Sequence, residues 1–558
     1  MFPTQLTKFS QVFNTPNLIV YFCISVASGL LLFFASLKFV LVLQQSNYRC
    51  KRYLKWLGSK DTPYLSRLML LCLLGFLFFC VLCICFAPIV GNTISSYVGF
   101  VSYLLFTTMY IKTESSVNAK VPLVKTKRIV RLCIVYILIL SAISFGFLVG
   151  LDCLAYLING EVIALFRYAI ICGLPILSPY ILLIAFMITQ PFELLVNKYY
   201  INSAKKKLHR LEILKIGITG SCGKTSVKEI LKTILSQKYR VMATPASYNT
   251  PLGIALTVKQ LDSTHDIFIA EMGARSKGDI KVLANIVKPM YGVLTTINNQ
   301  HLETFGSLET IKDTKYELFE NLDSGGEGFF ATDNKLVKEL YDKFNGIKYS
   351  SGLNGEDNFV TATDVVVDSR GTTFTLNIKG EEPVTCTTVL LGRHAVKNIC
   401  LASAVAYKVG LTPSEIARGI NRIQTIIHRL ELRPNNKNIV IIDDSYNSNE
   451  EGVASAMEVL SMFEGRKIVL TPGLVELGKM ENVVNMELGK TLAKHADIVF
   501  VIGKHNAEMI VSGLLEGGMS RENIRFAKSL NKANEELNKL LNEGDVVLFE
   551  NDLPDNYN

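Results

Sequence analysis

Acidic residues are nearly missing from the first 210 residues, which contain 5 Asp or Glu against 20 Lys or Arg. Such a stretch lacks the mixed charge of a water-soluble surface, so an ordinary soluble domain is excluded there. The rest of the chain holds 38 basic and 44 acidic residues. The net charge of +9 therefore arises in the first part of the chain, and it does not indicate a nucleic-acid partner.

Cysteine is scarce after residue 210. Only Cys222, Cys386 and Cys400 occur in that part, and no C-x-x-C pair accompanies them. This pattern supports neither a cysteine-rich zinc site nor a disulfide framework.

Long apolar runs are what the first part does contain. Runs long enough to span a bilayer cover residues 18–43, 68–87, 89–111, 129–149 and 162–188. The second and third meet at Pro88 and Gly91, where a tight hairpin is predicted. Basic residues cluster in the loops at 44–67 and 112–131 and again after residue 190. The positive-inside rule then predicts a multi-pass protein of the cell membrane, with five spans, an outside N-terminus and cytoplasmic catalytic domains.

Strand and helix patterns alternate from about residue 211 onward, which is typical of doubly wound α/β domains. Strands are predicted at 214–219, 266–271, 291–297, 439–443, 467–471, 498–502 and 545–549, with a small meander at 359–390 and a helix-rich stretch at 394–423. The predicted fold class is an α-helical membrane domain at 1–210, a P-loop α/β domain at 211–425 and a second α/β domain at 426–558.

The strongest local motif lies at 214–226. An apolar strand runs into the turn Gly220-Ser221-Cys222-Gly223, and Lys224-Thr225-Ser226 then opens a helix predicted to end at residue 235. Backbone N–H groups of such a turn attract phosphate, Lys224 adds a full positive charge, and the Thr225 hydroxyl is placed to bind Mg²⁺. The motif predicts a nucleoside triphosphate site, although the first glycine of the general pattern falls on Ile218.

Two further polar residues follow strands of the same predicted sheet. Glu271 ends an apolar strand, and His301 lies just past the next one. Because the carboxyl ends of parallel strands share one edge of a sheet, Glu271 is predicted to bind Mg²⁺ and His301 to bind metal or phosphate. A solvated glutamate is the alternative for Glu271. Lys315 falls on a predicted helix, where a solvated lysine is the default.

An ordered set of motifs after residue 210 resembles the Mur ligase family. The motifs are Gly-Ile-Thr-Gly-Ser-Cys-Gly-Lys-Thr-Ser at 217–226, Tyr-Asn-Thr-Pro-Leu-Gly at 248–253, Glu-Met-Gly-Ala at 271–274, His-Leu-Glu at 301–303, Lys-Tyr-Glu at 315–317, His-Arg-Leu-Glu at 428–431 and Asp-Asp-Ser-Tyr-Asn-Ser-Asn at 443–449. Within the family, the motifs at 220–229 and 444–447 are most similar to those of members that add D-alanyl-D-alanine to a muramoyl tripeptide.

The resemblance implies an ATP- and Mg²⁺-dependent ligase that joins a carboxylate to an amine through an acyl phosphate. It also implies a central ATPase domain and a C-terminal Rossmann-like domain that closes over it. The implied nucleotide-binding residues are Gly220, Ser221, Cys222, Gly223, Lys224, Thr225, Ser226, Asn398, Arg429 and Asp444. Among these, Asn398 would contact adenine, Asp444 the ribose and Arg429 the γ-phosphate.

The same resemblance implies the remaining site residues. The metal ligands would be Thr225, Glu271, His301 and Lys315, the last as a carbamate formed with CO₂. The catalytic residues would be Lys224, His301, Lys315 and Arg429. The substrates would be contacted by Asn249, Thr250, Tyr446 and Asn447. The alternative for Tyr446 and Asn447 is a purely structural role, in which they only form the turn after a strand.

Two departures from the family pattern affect the substrates. Soluble members begin with a domain that binds the UDP-sugar, and here the membrane block stands in its place. The muropeptide partner is therefore expected to be UDP-linked or lipid-linked, with an amino acid or dipeptide such as D-Ala-D-Ala as the incoming amine. The segment 549–555 is acidic where many relatives are basic, which bears on the amine that is accepted.

Three functions remain open at this point. The first is a membrane-anchored, D-alanyl-D-alanine-adding ligase of peptidoglycan precursor synthesis. The second keeps the chemistry but changes the substrate, as in lipid II amidation or poly-γ-glutamate synthesis. The third is a non-catalytic ATP-binding membrane scaffold. The joint presence of Lys224, Glu271 and Arg429 argues against a scaffold, which does not need a metal site.

Overall fold

The structure is a computed structural model. It describes residues 15–46, 48–58, 63–90, 94, 98, 101, 104–105, 107–108, 111, 123–157, 169–246, 248–300, 302–353, 357–368, 370–433, 438–446 and 448–551. Contacts within the chain divide it into two compact units, residues 1–196 and 197–553. The predicted boundaries at 210 and 425 stay predictions.

Helices make up the described part of the first unit. They are α1 (Thr15–Ala35), α2 (Leu37–Gln45), α3 (Cys50–Leu57), α4 (Pro63–Val90), α5 (Lys127–Leu157) and α6 (Ala169–Arg210), the last of which contains the division between the units. Close packing of α1 on α5 depends on Gly29, because a Cβ there would lie 2.1 Å from Oγ of Ser141. Near the start of α5, Arg131 donates to both carboxylate oxygens of Glu193, at 2.5 and 2.8 Å.

Within the part of the chain that the structure describes, three helices are long and apolar enough to cross a membrane, at Leu18–Ala35, Lys127–Leu154 and Gly173–Arg210. A shorter apolar helix covers Leu68–Leu82, and the predicted run at 89–111 lies mostly outside the described residues. The five-span topology therefore stays a prediction. The predicted hairpin differs from the structure at Pro88, because α4 continues through this proline to Val90, whereas Gly91 is outside the described part.

The first sheet of the second unit has nine strands. They are β1 (Leu214–Thr219), β2 (Val241–Ala243), β3 (Ile267–Glu271), β4 (Tyr291–Leu294), β5 (Glu327–Ala331), β6 (Lys348–Gly352), β7 (Val360–Asp368), β8 (Gly371–Ile378) and β9 (Val384–Thr388). Their order is β2-β3-β1-β4-β5-β6-β7-β8-β9, parallel as far as β7 and antiparallel beyond it. The central strands are buried on both faces, which explains their continuous apolar sequences.

Helices cover both faces of this sheet. They are α7 (Lys224–Leu235), α8 (Pro251–Gln260), α9 (Asp279–Val287), α10 (Leu302–Phe305), α11 (Leu308–Glu320), α12 (Lys335–Lys343), α13 (Arg393–Val409) and α14 (Pro413–Asn421). One apolar core joins α7 and α13 to one face, and another joins α8, α9 and α11 to the other. Because β1 lies between β3 and β4, a crevice opens at the carboxyl ends of these strands.

The second sheet has six strands. They are β10 (Glu431–Arg433), β11 (Val440–Asp444), β12 (Lys467–Thr471), β13 (Ile498–Ile502), β14 (Ile524–Ala527) and β15 (Val546–Glu550), in the order β10-β11-β15-β12-β13-β14. Its helices are α15 (Glu450–Ser461), α16 (Glu481–His495), α17 (Ala507–Glu516) and α18 (Leu530–Leu540). All pairs are parallel except β10 with β11. The prediction of two α/β domains after the helical part is confirmed.

Candidate active site

The phosphate loop is the turn between β1 and α7. Gly220 and Gly223 have φ values of 149° and 80°, which favour glycine. A Cβ at Gly220 would lie 1.9 Å from Oγ1 of Thr295, so the loop packs tightly against the segment after β4. Thr295 also donates a hydrogen bond of 2.5 Å to the carbonyl of Cys222. These contacts fix the loop around the N-terminus of α7, where an anion is favoured.

Lys224, the first residue of α7, turns back over this loop. Its Nζ donates to the carbonyls of Gly220 and Ser221, at 2.7 and 2.6 Å. Burial lowers the pKa of Lys224. A phosphate group is a stronger partner for an ammonium than a carbonyl is, so Lys224 is poised to exchange these contacts for a bound anion. Thr225 and Ser226 follow in the same helical turn.

Glu271 lies at the end of β3, beside the first turn of α7. Its Oε2 accepts from the Thr225 hydroxyl at 3.0 Å, and its Oε1 accepts from the Asn249 amide at 3.1 Å. Hydroxyl and carboxylate oxygens are the ligands that Mg²⁺ prefers, and Mg²⁺ needs few of them from the protein. The donor set at Thr225 and Glu271 therefore fits a magnesium ion next to a bound triphosphate.

Lys228 is a member of this site that the sequence analysis missed. It is completely buried on α7, and its Nζ lies 3.2 Å from Oε2 of Glu271 and 2.5 Å from the carbonyl of Ala246. The signal in the sequence is its position one turn after Lys224, next to Val227 and on the apolar face of the helix. Charged residues are rarely placed on such a face without a partner.

Lys315 is buried in the structure, with 3% of its surface exposed. The expectation of a solvated lysine is therefore wrong, because α11 packs this face against the sheet. Burial, followed by the charge of Lys224, lowers the pKa of Lys315 to about 7. Its Nζ lies 5.9 Å from the centre of the Phe305 ring. His301, the residue predicted to share a metal with Lys315, lies outside the described residues.

Other predicted contacts lie around the same loop. Asn398, on α13, approaches it so closely that a Cβ at Gly223 would be 3.0 Å from the Asn398 Oδ1. Thr250 caps α8, since its side chain accepts from the N–H of Gly253 at 3.3 Å. This contact gives Thr250 a structural role whether or not it also binds substrate.

Arg429 lies in the linker between the two sheets. Its guanidinium is 4.7 Å from the centre of the Tyr446 ring, which is 41% exposed. The flanking residues His428 and Leu430 both have positive φ, at 60° and 46°. Two such residues around one arginine fix the direction of the linker at some conformational cost. Asn447, predicted beside Tyr446, lies outside the described residues.

Asp444, at the end of β11, holds the same linker. Its Oδ1 accepts from the N–H of Leu430 at 3.2 Å, and burial raises the pKa of Asp444 to about 6. Asp443, His428 and Glu431 bring their ligand atoms within 4.8 Å of one another. The guanidinium of Arg433 contacts Asp443, so a protein cation already balances that carboxylate.

The two sheets of the second unit meet at the phosphate loop. Glu451, in the first turn of α15, accepts from Sγ of Cys222 at 3.5 Å and from the amide of Asn298 at 3.4 Å. A second link joins the N–H of Glu303 to the carbonyl of Glu476 at 3.3 Å. The carboxyl end of β11, which leads into α15, is thus on the side that faces the loop. Glu451 was not identified from the sequence, because nothing local distinguishes it from a helix-capping acid.

A cavity of about 460 Å³ lies beside the edge strand β2. Met242 and Leu256 form apolar parts of its wall, and Lys232 and Lys259 are the charged residues in its lining. Tyr248, also in the lining, directly precedes Asn249, which donates to Glu271. One residue of the cavity wall is thus the sequence neighbour of a residue that contacts Glu271.

Comparison with known families identifies two matching domains. Residues 218–406 match the Mur ligase middle domain, and residues 428–550 match the Mur ligase, glutamate ligase domain. Among curated proteins, UDP-N-acetylmuramoyl-tripeptide--D-alanyl-D-alanine ligase of Bacillus subtilis (strain 168) is 30% identical over 349 residues, which are 62% of this chain and 74% of that protein. The ligase of the same name from Escherichia coli (strain K12) is 30% identical and is covered over 65% of its length, with 52% of this chain.

Solved structures show the same likeness. The MurF ligase from Thermotoga maritima in complex with ADP has a TM-score of 0.58 and 26% identity, covering 64% of this chain and 80% of that one. MurF from Acinetobacter baumannii also has a TM-score of 0.58, with 23% identity and coverage of 64% and 77%, and this likeness concerns the fold.

Proposed function

This chain belongs to the Mur ligase family, and we propose that it is an ATP-dependent ligase of peptidoglycan precursor synthesis that adds D-alanyl-D-alanine to a muropeptide. The observation that carries the proposal is the arrangement at one sheet edge, where the Thr225 hydroxyl donates to Glu271 beside Lys224, whose Nζ donates to carbonyls of the phosphate loop. Glu451 from the second sheet contacts the same loop, so both sheets contribute to one site.

Making an amide with ATP requires that two anions meet, the acceptor carboxylate and the γ-phosphate. Lys224 and the N–H groups of the loop reduce their repulsion. When bound at Thr225 and Glu271, Mg²⁺ supplies further positive charge to the phosphate oxygens. Arg429, in the linker between the two sheets, is proposed to reach the phosphate being transferred.

We extend the proposal to carbamate formation at Lys315. A lysine with a pKa of about 7 is largely uncharged just above neutral pH, so its nitrogen lone pair is free to attack CO₂. The product replaces a cation near Lys224 with an anion whose oxygens suit Mg²⁺. His301 is proposed as its neighbour at the metal, and Asn398, Asp444, Asn249, Tyr446 and Asn447 keep their proposed substrate contacts.

The test uses the full-length protein in detergent with ATP, Mg²⁺, UDP-muramoyl tripeptide and D-Ala-D-Ala. We expect phosphate release only when both substrates are present. Lys224→Met should lower the rate at least 100-fold, since one lost electrostatic contact to the transition state costs about that much. Lys277→Met, an exposed lysine, is the matched control and should keep the wild-type rate. Absence of release with every acceptor and amine would refute the ligase assignment.

A second candidate keeps this chemistry but uses a lipid-linked acceptor at the cytoplasmic face of the membrane. The observation in its favour is that three apolar helices of membrane-spanning length lie before the middle domain, which begins at residue 218. The same assay distinguishes the two candidates. Phosphate release with a lipid-linked muropeptide and none with the UDP-linked one would favour the second candidate, and the reverse would favour the first.

A further inference from the structure

Glu550 is a buried carboxylate that none of the roles above uses. It ends β15 and has no exposed surface, and its carboxylate oxygens make no hydrogen bond of ordinary geometry and no ion pair within the described residues, although the Ser448 hydroxyl lies near enough to lower its pKa. Buried polar groups in native proteins nearly always have partners, and a buried charge without one is especially unfavourable. An unpaired carboxylate in this position therefore indicates a ligand that supplies hydrogen-bond donors and positive charge.

The surroundings of Glu550 hold it in place. In the sheet it is the register partner of Asp444, so two carboxylates stand side by side at the ends of β15 and β11. The next residue, Asn551, donates from its backbone to the carbonyl of Asp444 at 3.1 Å and from its side chain to the carbonyl of Gly473 at 2.6 Å. Because the backbone on this side is fixed, Glu550 cannot escape burial by a simple shift of the chain end.

The position of Glu550 relates it to the ligase reaction. Both strands end at the sheet edge from which the loop with Tyr446 leads into α15, and α15 contacts the phosphate loop through Glu451. Ligands of parallel α/β sheets bind at this carboxyl edge. An amine bound at this edge would lie on the side of the second sheet that contacts the loop.

We propose that Glu550 binds the protonated amine of the incoming nucleophile and removes its proton, a role that rests on the ligase function proposed above. An ammonium group offers three donors and a positive charge, which suit two buried carboxylate oxygens that form no ion pair. An α-amino group has a pKa of about 8, so at neutral pH it arrives protonated and cannot attack until a base takes one proton.

The charged groups acting on Glu550 are Asp444 on β11 and Arg429 in the linker. Burial, followed by the charge of Asp444, raises the pKa of Glu550 well above its ordinary value, and the Ser448 hydroxyl and Arg429 oppose this shift. A carboxylate with a raised pKa is a better proton acceptor than an exposed one. These neighbours therefore adjust the pKa of Glu550 so that it can accept a proton from an amine that is protonated in solution.

The step balances as follows. One proton moves from the ammonium to Glu550, and the freed lone pair forms the C–N bond at the acyl carbon. The C–O bond to phosphate then breaks, and the phosphate leaves with that electron pair and with the second proton lost by the nitrogen. Glu550 returns its proton to solvent when the product departs.

The test compares two nucleophiles in the full-length protein and in Glu550→Gln. Hydroxylamine is largely uncharged at neutral pH and traps acyl phosphates without needing a base, whereas D-Ala-D-Ala needs one. We expect Glu550→Gln to keep hydroxamate formation within about 2-fold but to lose amide formation at least 100-fold at pH 7, as for other general bases. The loss should shrink by about 5-fold between pH 7 and pH 8 and by about 2-fold more by pH 9, as the amine deprotonates in solution.

Glu508→Gln, an exposed glutamate of the same domain, is the matched control and should change neither product. Equal loss with both nucleophiles, or a loss that does not depend on pH, would overturn the role of Glu550. Should Glu550→Gln not fold, Glu550→Asp serves instead, with a raised KM for D-Ala-D-Ala and unchanged hydroxamate formation as the expected result. If the wild-type protein forms no hydroxamate with any acceptor, the proposed ligase function fails instead.

Discussion

Nζ of Lys228 lies 3.2 Å from Oε2 of Glu271, and both side chains are shielded from solvent. The pair joins α7 to the end of β3, directly behind the Thr225 hydroxyl. A buried ion pair adds little net stability over an apolar pair, but removing one partner leaves an uncompensated charge. Glu271, the carboxylate proposed to bind Mg²⁺, is thus held by a lysine that contacts no phosphate in the proposed mechanism.

Lys228→Met should therefore destabilise the protein by about 3–5 kcal/mol, because Glu271 remains buried without its partner. Unfolding of the full-length protein in Mg²⁺-free detergent solution measures this change. The double variant with Glu271→Gln should recover most of the loss. Mg²⁺ should raise the melting temperature of Lys228→Met more than that of the wild type, since it can replace the missing charge. A smaller Mg²⁺ effect in the variant would contradict this explanation.

Stability should depend on pH through Lys315. Its pKa is about 7 in the folded protein against 10.5 ordinarily, so the unfolded chain binds more protons between these values. The free energy of unfolding contributed by Lys315 therefore rises with pH across that window, by about 1.4 kcal/mol per pH unit. In CO₂-free buffer, Lys315→Met should be more stable than the wild type at pH 6.5, and the difference should close toward pH 10. A constant difference over this range would show that Lys315 does not titrate as described.

Gly223 of the phosphate loop can be compared with Gly380, a glycine outside the loop. The comparison separates the effect of a substitution on ATP binding from its effect on backbone strain. Gly223 and Gly380 have similar φ values, 80° and 88°, but a Cβ meets the Asn398 Oδ1 only at Gly223 and meets nothing within 4 Å at Gly380. Each Gly→Ala change should cost about 1–2 kcal/mol in folding, because left-handed backbone disfavours alanine. Only Gly223→Ala should also weaken ATP binding, by at least 10-fold, in equilibrium binding measurements. Equal ATP affinities would place the nucleotide elsewhere.

Tyr446 should act through Arg429. A cation–π contact at a partly exposed ring contributes about 0.5–1 kcal/mol. Tyr446→Phe keeps the ring and should retain the wild-type kcat, whereas Tyr446→Ala should lower kcat a few-fold by freeing Arg429. Arg429→Met should lower kcat about 10²–10³-fold with a smaller change in KM for ATP, as expected for a contact made mainly in the transition state. Steady-state phosphate release measures all three, and a phenylalanine variant as impaired as the alanine one would point to the hydroxyl instead.

Some of the fold could be predicted closely from the sequence. Strands β1, β12 and β13 occupy the predicted residues, because each is a buried run of apolar side chains between polar turns. Strands β5 and β6 were missed. Their residues, 327–331 and 348–352, include glycines, serines or a lysine that read as loop, and only pairing with neighbouring strands makes them β-structure.

The residues of the candidate site likewise include some that the sequence predicts and some that it does not. Lys224, Thr225 and Glu271 follow from local motifs, since a glycine-rich turn after a strand has few other uses. The burial of Lys315 and Lys228 does not follow, because a lysine on an amphipathic helix is exposed unless a particular neighbour covers it. The strand predicted at 545–549 is shifted by one residue in the structure, and Glu550 at its end is completely buried.

The sequence by itself determined the family, the phosphate loop and the presence of apolar helices before the α/β domains, because each depends on residues adjacent in the chain. The tertiary structure alone decided which charged groups lose water. Lys228 meets Glu271 across 43 residues, and Asp444 meets Glu550 through the register of two strands far apart in sequence. Desolvation and charge pairing depend on three-dimensional distance, and these effects set the pKa values on which the proposed chemistry depends.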